Sequence, residues 1–368
     1  MKLLLVGGNT GGPVAPLLAV AEVLKTEYPN THFLLVGTNG GVEAAMAKQA
    51  HINFEPIAAG KLRRYVSWRN LFSVLFVSVG FVQSLRIIKK FKPDCAFGAG
   101  GFVQVPLLWA AWLLGVPVVI HQQDVQASLA NKLCSPIAKK ITVTFEASLR
   151  QFSEDLGLFS HGKKSKIVLT GNPFRVQLTG ADKNIAVKKL SLEPDFPTLL
   201  VLGGGGGAEY LNNLILNNLS EITKFMQIVH ITGPGKKRQT SFQKYHAYEF
   251  LADMGSAYAA ADIVLARGGV STITELSNLK KTSIVIPMPG THQELNCEML
   301  WQKNAAIVLN QNKINQTKFI KLLHQLLFDA AAQQTLQHNI AKVMPHNSSQ
   351  KVAKVILEVA NKKHVTIR

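Results

Sequence analysis

Twice in this chain a short apolar run empties into a cluster of glycines and then into a helical pattern. That grammar belongs to a parallel α/β sheet, whose strands are buried on both faces. The first instance is residues 3–6, the glycine-rich turn 7–12, and the spaced apolar positions Leu17, Leu18, Val20, Ala21 and Leu24. The second is residues 198–202, five consecutive glycines at 203–207, and a helical pattern over 208–219. Further apolar runs at 32–36, 95–97, 118–120, 227–231, 263–265 and 283–286 read as strands, with a helix at 41–49. None of them runs into a two-residue hairpin turn, so the connections are crossovers. An architectural repeat half a chain apart in 368 residues predicts two domains. Pro173 holds the residue before it extended, which puts the boundary after Asn172. Near the C-terminus Val352, Val355, Ile356 and Val359 fall at helical spacing and need a surface to cover. The expected division is therefore 1–172 plus a returning helix at 346–368, and 173–345.

Charge narrows the partners. Forty Lys and Arg against 22 Asp and Glu leave a formal +18, which calls for an anionic partner. The excess is uneven: residues 61–92 contain no acid. Lys61, Arg63, Arg64 and Arg69 precede a mostly apolar run at 71–82, and Arg86, Lys89, Lys90 and Lys92 follow it. The run is too short to span a bilayer, which needs ~20 apolar residues. It suits either a core helix between basic turns or an interfacial helix on an anionic membrane, and the missing carboxylates favour the membrane. Nucleic acid is not expected, since basic and aromatic residues do not interleave as in RNA-binding modules. Cys95, Cys134 and Cys297 are scattered and form no C-x-x-C pair, so neither a disulfide framework nor a zinc site is expected, and a reducing cytoplasm fits. The first residues read as a buried strand rather than a signal peptide.

Glycine between a strand and a helix lets backbone N–H groups approach a phosphate. The loops at 7–12 and 203–207 meet that need, and so does Gly98-Ala99-Gly100-Gly101-Phe102. None continues into the Gly-Lys-Ser/Thr of a P-loop. A dinucleotide fingerprint with its acidic residue ~20 positions on is also missing, which disfavours a nicotinamide dehydrogenase. Further on, Arg267-Gly268-Gly269 precedes a helix expected to be capped near Ser271 or Thr272. Glu275 would then lie in its first turn, either as half of a capping box or as a carboxylate for the two hydroxyls of a ribose. The string Thr291-His292-Gln293-Glu294-Leu295-Asn296 could satisfy sugar hydroxyls or only solvate a loop.

Taken in order, these motifs resemble the MurG family, the UDP-N-acetylglucosamine transferases of peptidoglycan synthesis. The resemblance rests on Gly7-Gly8-x-Thr10-Gly11-Gly12 with Pro16, Gly98-x-Gly100-Gly101-Phe102 with Pro106, His121-Gln122-Gln123-Asp124, Gly171-Asn172-Pro173-Phe174-Arg175, the 203–208 loop with Asn212, Arg267-Gly268-Gly269 with Thr272 and Glu275, and His292-Gln293-x-x-Asn296. It covers almost the whole chain. It implies a GT-B fold, two Rossmann-like parallel-sheet domains facing across a cleft. The implied reaction is an inverting, metal-independent transfer of N-acetylglucosamine from UDP-GlcNAc to the C4 hydroxyl of lipid I, giving lipid II. No cofactor is implied, and the enzyme would be peripheral on the cytoplasmic face of the cell membrane.

By resemblance the donor would meet Thr10, Gly11, Gly12, Arg175, Gly204, Gly205, Gly206, Gly207, Asn212, Thr272, Glu275, His292, Gln293 and Asn296. The acceptor diphosphate would meet Gly8, Gly11, Gly12, Gly100, Gly101 and Asp124. The chain departs from the family at Asn9, Phe102, Gln122 and Gly205, and above all at Pro13, where the family has a histidine suspected in acid–base chemistry. A proline moves no proton, and something must take the acceptor hydroxyl's proton. Asp124 is the favoured base, His121 the second candidate, and Thr10 a positioning group. Three alternatives remain: a GT-B transferase for another lipid acceptor such as diacylglycerol, a non-catalytic binder of UDP-sugar or lipid, and a UDP-GlcNAc 2-epimerase. The epimerase has no use for the basic 61–92 segment.

Overall fold

The computed structural model describes residues 1–8, 11–59, 69–155, 166–238 and 240–365. It divides into two compact units, residues 1–175 with 345–368, and residues 176–344.

The first unit alternates strand and helix throughout: β1 (Lys2–Val6), α1 (Gly11–Glu27), β2 (His32–Thr38), α2 (Glu43–Gln49), β3 (Asn53–Ile57), α3 (Arg69–Phe91), β4 (Cys95–Gly98), α4 (Gln104–Leu113), β5 (Val118–Gln122), α5 (Leu129–Cys134), β6 (Lys140–Val143), α6 (Glu146–Asp155) and β7 (Ile167–Leu169). The second unit continues with α7 (Lys183–Lys189), β8 (Thr198–Leu202), α8 (Glu209–Leu216), α9 (Leu219–Ile222), β9 (Gln227–Ile231), β10 (Tyr245–Tyr248), α10 (Met254–Ala260), β11 (Ile263–Ala266), α11 (Val270–Leu279), β12 (Ser283–Val285), α12 (Gln293–Gln302), β13 (Ile307–Val308), α13 (Gln316–Phe328) and α14 (Ala330–Ile340). The last helix, α15 (Ser348–Val365), belongs to the first unit.

Both sheets are parallel throughout, in the orders β3-β2-β1-β4-β5-β6-β7 and β10-β9-β8-β11-β12-β13. In each, the chain winds outward from a central strand and then returns to that strand's other side. The order reverses between β1 and β4 in one sheet and between β8 and β11 in the other. At such a switch point neighbouring loops leave in opposite directions, opening a crevice beyond the carboxyl ends of the strands. The three glycine loops all emerge there, after β1, β4 and β8. Pro56 is accommodated in β3 because that strand lies at a sheet edge.

Alternation along β1 divides the first core. Leu4 and Val6 pack with Ile87, Leu107 and Phe152 on one face; Leu3 and Leu5 pack with Leu17, Val20, Val352 and Ile356 on the other. The returning helix α15 therefore completes one side of the first sheet. The unit boundary falls after Arg175 rather than after Asn172. The 171–174 segment is held by first-unit contacts: Gly171 N donates to Val143 O at 3.2 Å and Phe174 N to Ser349 Oγ at 2.9 Å.

Helix α3 is apolar on two faces with different fates. Gly80, Ser84, Ile87 and Ile88 are buried, and Gly80 brings the helix so close to Ala58 that a Cβ would meet its carbonyl. Phe76, Val79 and Val82 are exposed, as are Trp112 and Leu113 on α4, against which α3 packs. Among the described residues no helix is long and apolar enough to cross a membrane. Lys61, Arg63 and Arg64 lie outside the described residues, and of Arg69 only the backbone is described. All three cysteines are free thiols in the interior; burial pushes Cys134 and Cys297 up to about 12.

Candidate functional site

In the first unit the loops after β1 and β4 are pressed together. Gly101 has φ +84°, and a Cβ there would sit 2.6 Å from the Gly8 carbonyl oxygen. A Cβ on Gly8 would run into the carboxylate of Glu43, a fully buried side chain whose Oε1 accepts from Thr38 N (3.3 Å) and Thr38 Oγ1 (2.8 Å). Gly100, at φ +109°, is likewise confined to glycine's backbone range. Gly11 and Gly12 are not turn residues; they open α1, with Pro13 third, where a missing N–H costs no helical bond. Thr10 lies outside the described residues.

A buried chain of neutral amides ties these loops to β5. Gln104 Oε1 accepts from Gly100 N at 2.8 Å, and its Nε2 donates to Asn131 Oδ1 at 2.6 Å. Asn131 Nδ2 donates to Gln122 Oε1 (2.7 Å) and to His121 O (3.0 Å). Gln122 Nε2 then donates to the carbonyls of Asp124 and Gln126, both at 2.8 Å, and Gln123 Nε2 reaches Ala99 O at 2.7 Å. Gln104 and Asn131 escaped the sequence reading: they sit on helices α4 and α5, and the bond that joins them spans 27 residues of chain. The product of the chain is a fixed 122–128 turn that carries a half-buried Asp124 and is tied to the β4 loop through Gln123.

His121 requires a correction. Its ring is fully buried, with Nδ1 2.9 Å from Thr142 Oγ1 and Nε2 2.9 Å from Asn172 Oδ1. Burial lowers its pKa to about 4, outweighing the hydrogen bonds that favour the charged form. Both nitrogens are committed and no substrate can reach them, so His121 is a structural pin between β5, β6 and the 171–174 segment.

In the second unit the five glycines separate into two kinds. Gly203 and Gly207 are demanded by packing, since a Cβ would strike Ala208 N or Thr232 O, and Gly204 by its φ of +82°. Gly205 and Gly206 have neither constraint: a Cβ at either meets nothing within 4 Å. Exposed glycines that the fold does not need, at the N-terminal end of α8, leave backbone open to a close-fitting anion. The floor beneath them is fixed by Asn212, whose Nδ2 donates to Thr232 O at 3.0 Å and whose Oδ1 lies 3.0 Å from His230 Nε2. His230 Nδ1 in turn lies 2.9 Å from the Tyr245 hydroxyl, and burial lowers the ring's pKa to about 4.

The loops after β11 and β12 complete the carboxyl edge. Helix α11 starts at Val270 with Gly269 as its cap residue, so Glu275 stands in the second turn and makes no capping box. Its Oε2 accepts from the buried Tyr258 hydroxyl at 2.6 Å. Thr272 is buried in the first turn. Asn296 is wholly buried and donates to Gly268 O at 3.1 Å, which fixes the β11 loop rather than offering its amide outward. Gln293 Oε1 accepts from Met288 N at 3.0 Å, and His292 caps α12 with an exposed ring. Arg267 spans the two loops, donating to Ile286 O (3.0 Å) and Pro287 O (3.1 Å). Arg175 is half-buried and belongs to the first unit. Among the described residues no group of three or more His, Cys, Asp or Glu is gathered that could hold a metal ion.

Known proteins align along the same two units. The glycosyltransferase family 28 N-terminal domain matches residues 3–143 and its C-terminal domain residues 198–357. The UDP-N-acetylglucosamine--N-acetylmuramyl-(pentapeptide) pyrophosphoryl-undecaprenol N-acetylglucosamine transferase of Natranaerobius thermophilus is 32% identical over 97% of this chain and 99% of its own length. The protein of that name from Listeria monocytogenes is 32% identical over 98% and 99%. Among solved structures, Acinetobacter baumannii MurG superposes with a TM-score of 0.69 at 23% identity, covering 97% of this chain and 99% of that one. The UDP-GlcNAc 2-epimerase of Neisseria meningitidis does so at 0.67 and 15%, a likeness of fold alone. The fold is GT-B, and the chain belongs to the UDP-N-acetylglucosamine--N-acetylmuramyl-(pentapeptide) pyrophosphoryl-undecaprenol N-acetylglucosamine transferases, a family of glycosyltransferases.

Proposed function

We infer that this chain transfers N-acetylglucosamine from UDP-GlcNAc to lipid I, forming lipid II, the lipid-linked precursor of peptidoglycan. What carries the reading is near-full-length identity of 31–33% to relatives named for that transfer. A glycine-lined switch point in each unit supplies a chemical reason for it, because both substrates bring a diphosphate.

The chemistry assigned here is an inverting displacement that needs no metal. The acceptor's C4 oxygen bonds to the anomeric carbon as the bond to the β-phosphate oxygen breaks, and UDP leaves with the electron pair. Asp124 takes the hydroxyl proton; the amide chain through Gln104, Asn131 and Gln122 keeps its turn in place. The loop at 203–207 and Glu275 serve the donor, and the loops at 7–12 and 98–101 serve the acceptor diphosphate. The exposed Phe76, Val79, Val82, Trp112 and Leu113, with the exposed Arg86, Lys89, Lys90 and Lys92 at the far end of α3, suit shallow docking to the anionic cytoplasmic leaflet.

The test is a radiolabel transfer assay with UDP-GlcNAc, a lipid I analogue and EDTA, with diacylglycerol as the competing acceptor. Labelled lipid II is expected. Label on diacylglycerol, or donor bound without any transfer, would overturn the assignment.

A further inference from the structure

The loop after β9 supplies a cation that the donor reading has not yet used. Residues 232–238 run Thr-Gly-Pro-Gly-Lys-Lys-Arg, and the loop's start is clamped to the glycine loop. Gly233, at φ +91°, lies so near that a Cβ would sit 2.6 Å from Gly206 O and 2.7 Å from Gly207 N. Asn212 holds the carbonyl of Thr232, and the His230 and Tyr245 side chains brace Asn212 from below. From this base Lys236 reaches back over the glycines, and its Nζ donates to Gly206 O at 2.8 Å. The side chain is exposed, and no carboxylate among the described residues pairs with it.

We propose that Lys236 is a diphosphate clamp: its ammonium exchanges the Gly206 carbonyl for the phosphates of a bound nucleoside diphosphate sugar. The proposal rests on the sugar-nucleotide reading of the second unit. Backbone N–H groups at Gly205 and Gly206 can orient a phosphate but carry no full charge, and Gly205 brings no hydroxyl of its own. A neutral carbonyl is a weak partner for an ammonium, whereas a phosphate makes a shorter, charge-assisted bond. A lysine suits that exchange, being a point charge with rotatable donors on a flexible stem. As the sugar departs, the same cation meets the charge that develops on the leaving phosphate.

Calorimetric titration of the full chain with UDP, UDP-GlcNAc and uridine tests this. Lys236→Met is expected to weaken UDP and UDP-GlcNAc by about tenfold or more while uridine binding stays unchanged. Lys236→Arg is expected to keep most of the affinity, and the salt dependence of UDP binding is expected to flatten in Lys236→Met. Equal loss for UDP and uridine would make Lys236 a mere loop latch and overturn the proposal, as would UDP affinity equal to that of the unaltered chain. An unaltered chain that binds none of the three would instead sink the donor reading on which the clamp depends.

Discussion

His121 and Asp124 stand three positions apart, one inside β5 and one just beyond it, and their surroundings divide them. A base must reach the proton it takes. Asp124 is half-exposed on a braced turn, whereas His121 is sealed between Thr142 and Asn172. Asp124→Asn is therefore expected to lower kcat by roughly 10²–10⁴-fold with UDP-GlcNAc affinity unchanged; wild-type turnover in a steady-state assay would return the base to the unassigned. Buried His121 and His230 make a separate prediction. Each ring is held near 4 in the fold against 6.5 when free, so the unfolded chain binds the proton first as pH falls. Their stabilisation is complete above about pH 6.5 and is lost downward to about 4, at up to ~1.4 kcal/mol per pH unit for each ring. Urea midpoints are expected to drop between about pH 7 and pH 5; a flat profile would mean that the rings titrate freely. The string 121–124 was legible as a polar cluster at a strand end. Which members face solvent was not, because Asn131, which bonds the Gln122 side chain, comes from α5 and is itself held by Gln104 of α4.

Among the elements, the glycine loops carry the sharpest test. Gly207→Ala is expected to destabilise by roughly 2 kcal/mol or more, since alanine must adopt φ +69° and meet the Thr232 carbonyl. Gly205→Ala is expected to leave thermal stability within ~0.5 kcal/mol yet weaken UDP-GlcNAc, because only a ligand needs that space. Equal effects of the two substitutions would remove the distinction. For α11, Glu275→Ala is expected to weaken the donor by ~1–3 kcal/mol, while Tyr258→Phe, which loses the same internal hydrogen bond but keeps the carboxylate, leaves binding intact. Matching losses would reduce Glu275 to an anchor for Tyr258. The sequence placed the start of α11 two or three residues late, because a Ser or Thr cap is the usual signal. Here Asn296 fixes the β11 loop, and Gly269 caps without a side chain. Edge strands were the least visible elements: β3 contains Pro56 and β13 has two residues.

At the level of the molecule, the two repeats were legible because buried parallel strands are continuous apolar runs, each closed by glycine. The basic stretch was legible as charge but not as a surface. Only packing shows that α3 turns Gly80, Ser84 and Ile88 inward and leaves Phe76, Val79 and Val82 outside. If that face meets the bilayer, Arg63→Glu, Arg64→Glu and Arg69→Glu together are expected to release the chain from anionic vesicles, and Phe76→Ser with Trp112→Ser to weaken what remains in high salt. Sedimentation of the charge-reversed chain with vesicles at physiological salt would dismiss the docking face.

Helix α15 has one more implication, for the order in which the protein can be made. Its Val352, Ile356 and Val359 lie against Leu3, Leu5 and Leu17 near the start of the chain, with the whole of the second unit synthesised in between. On the ribosome, the 176–344 stretch holds its own strands and can close first. The N-terminal sheet must wait with one flank only partly covered, by α1, until residues 348–360 leave the exit tunnel, which makes that flank a natural client for a chaperone.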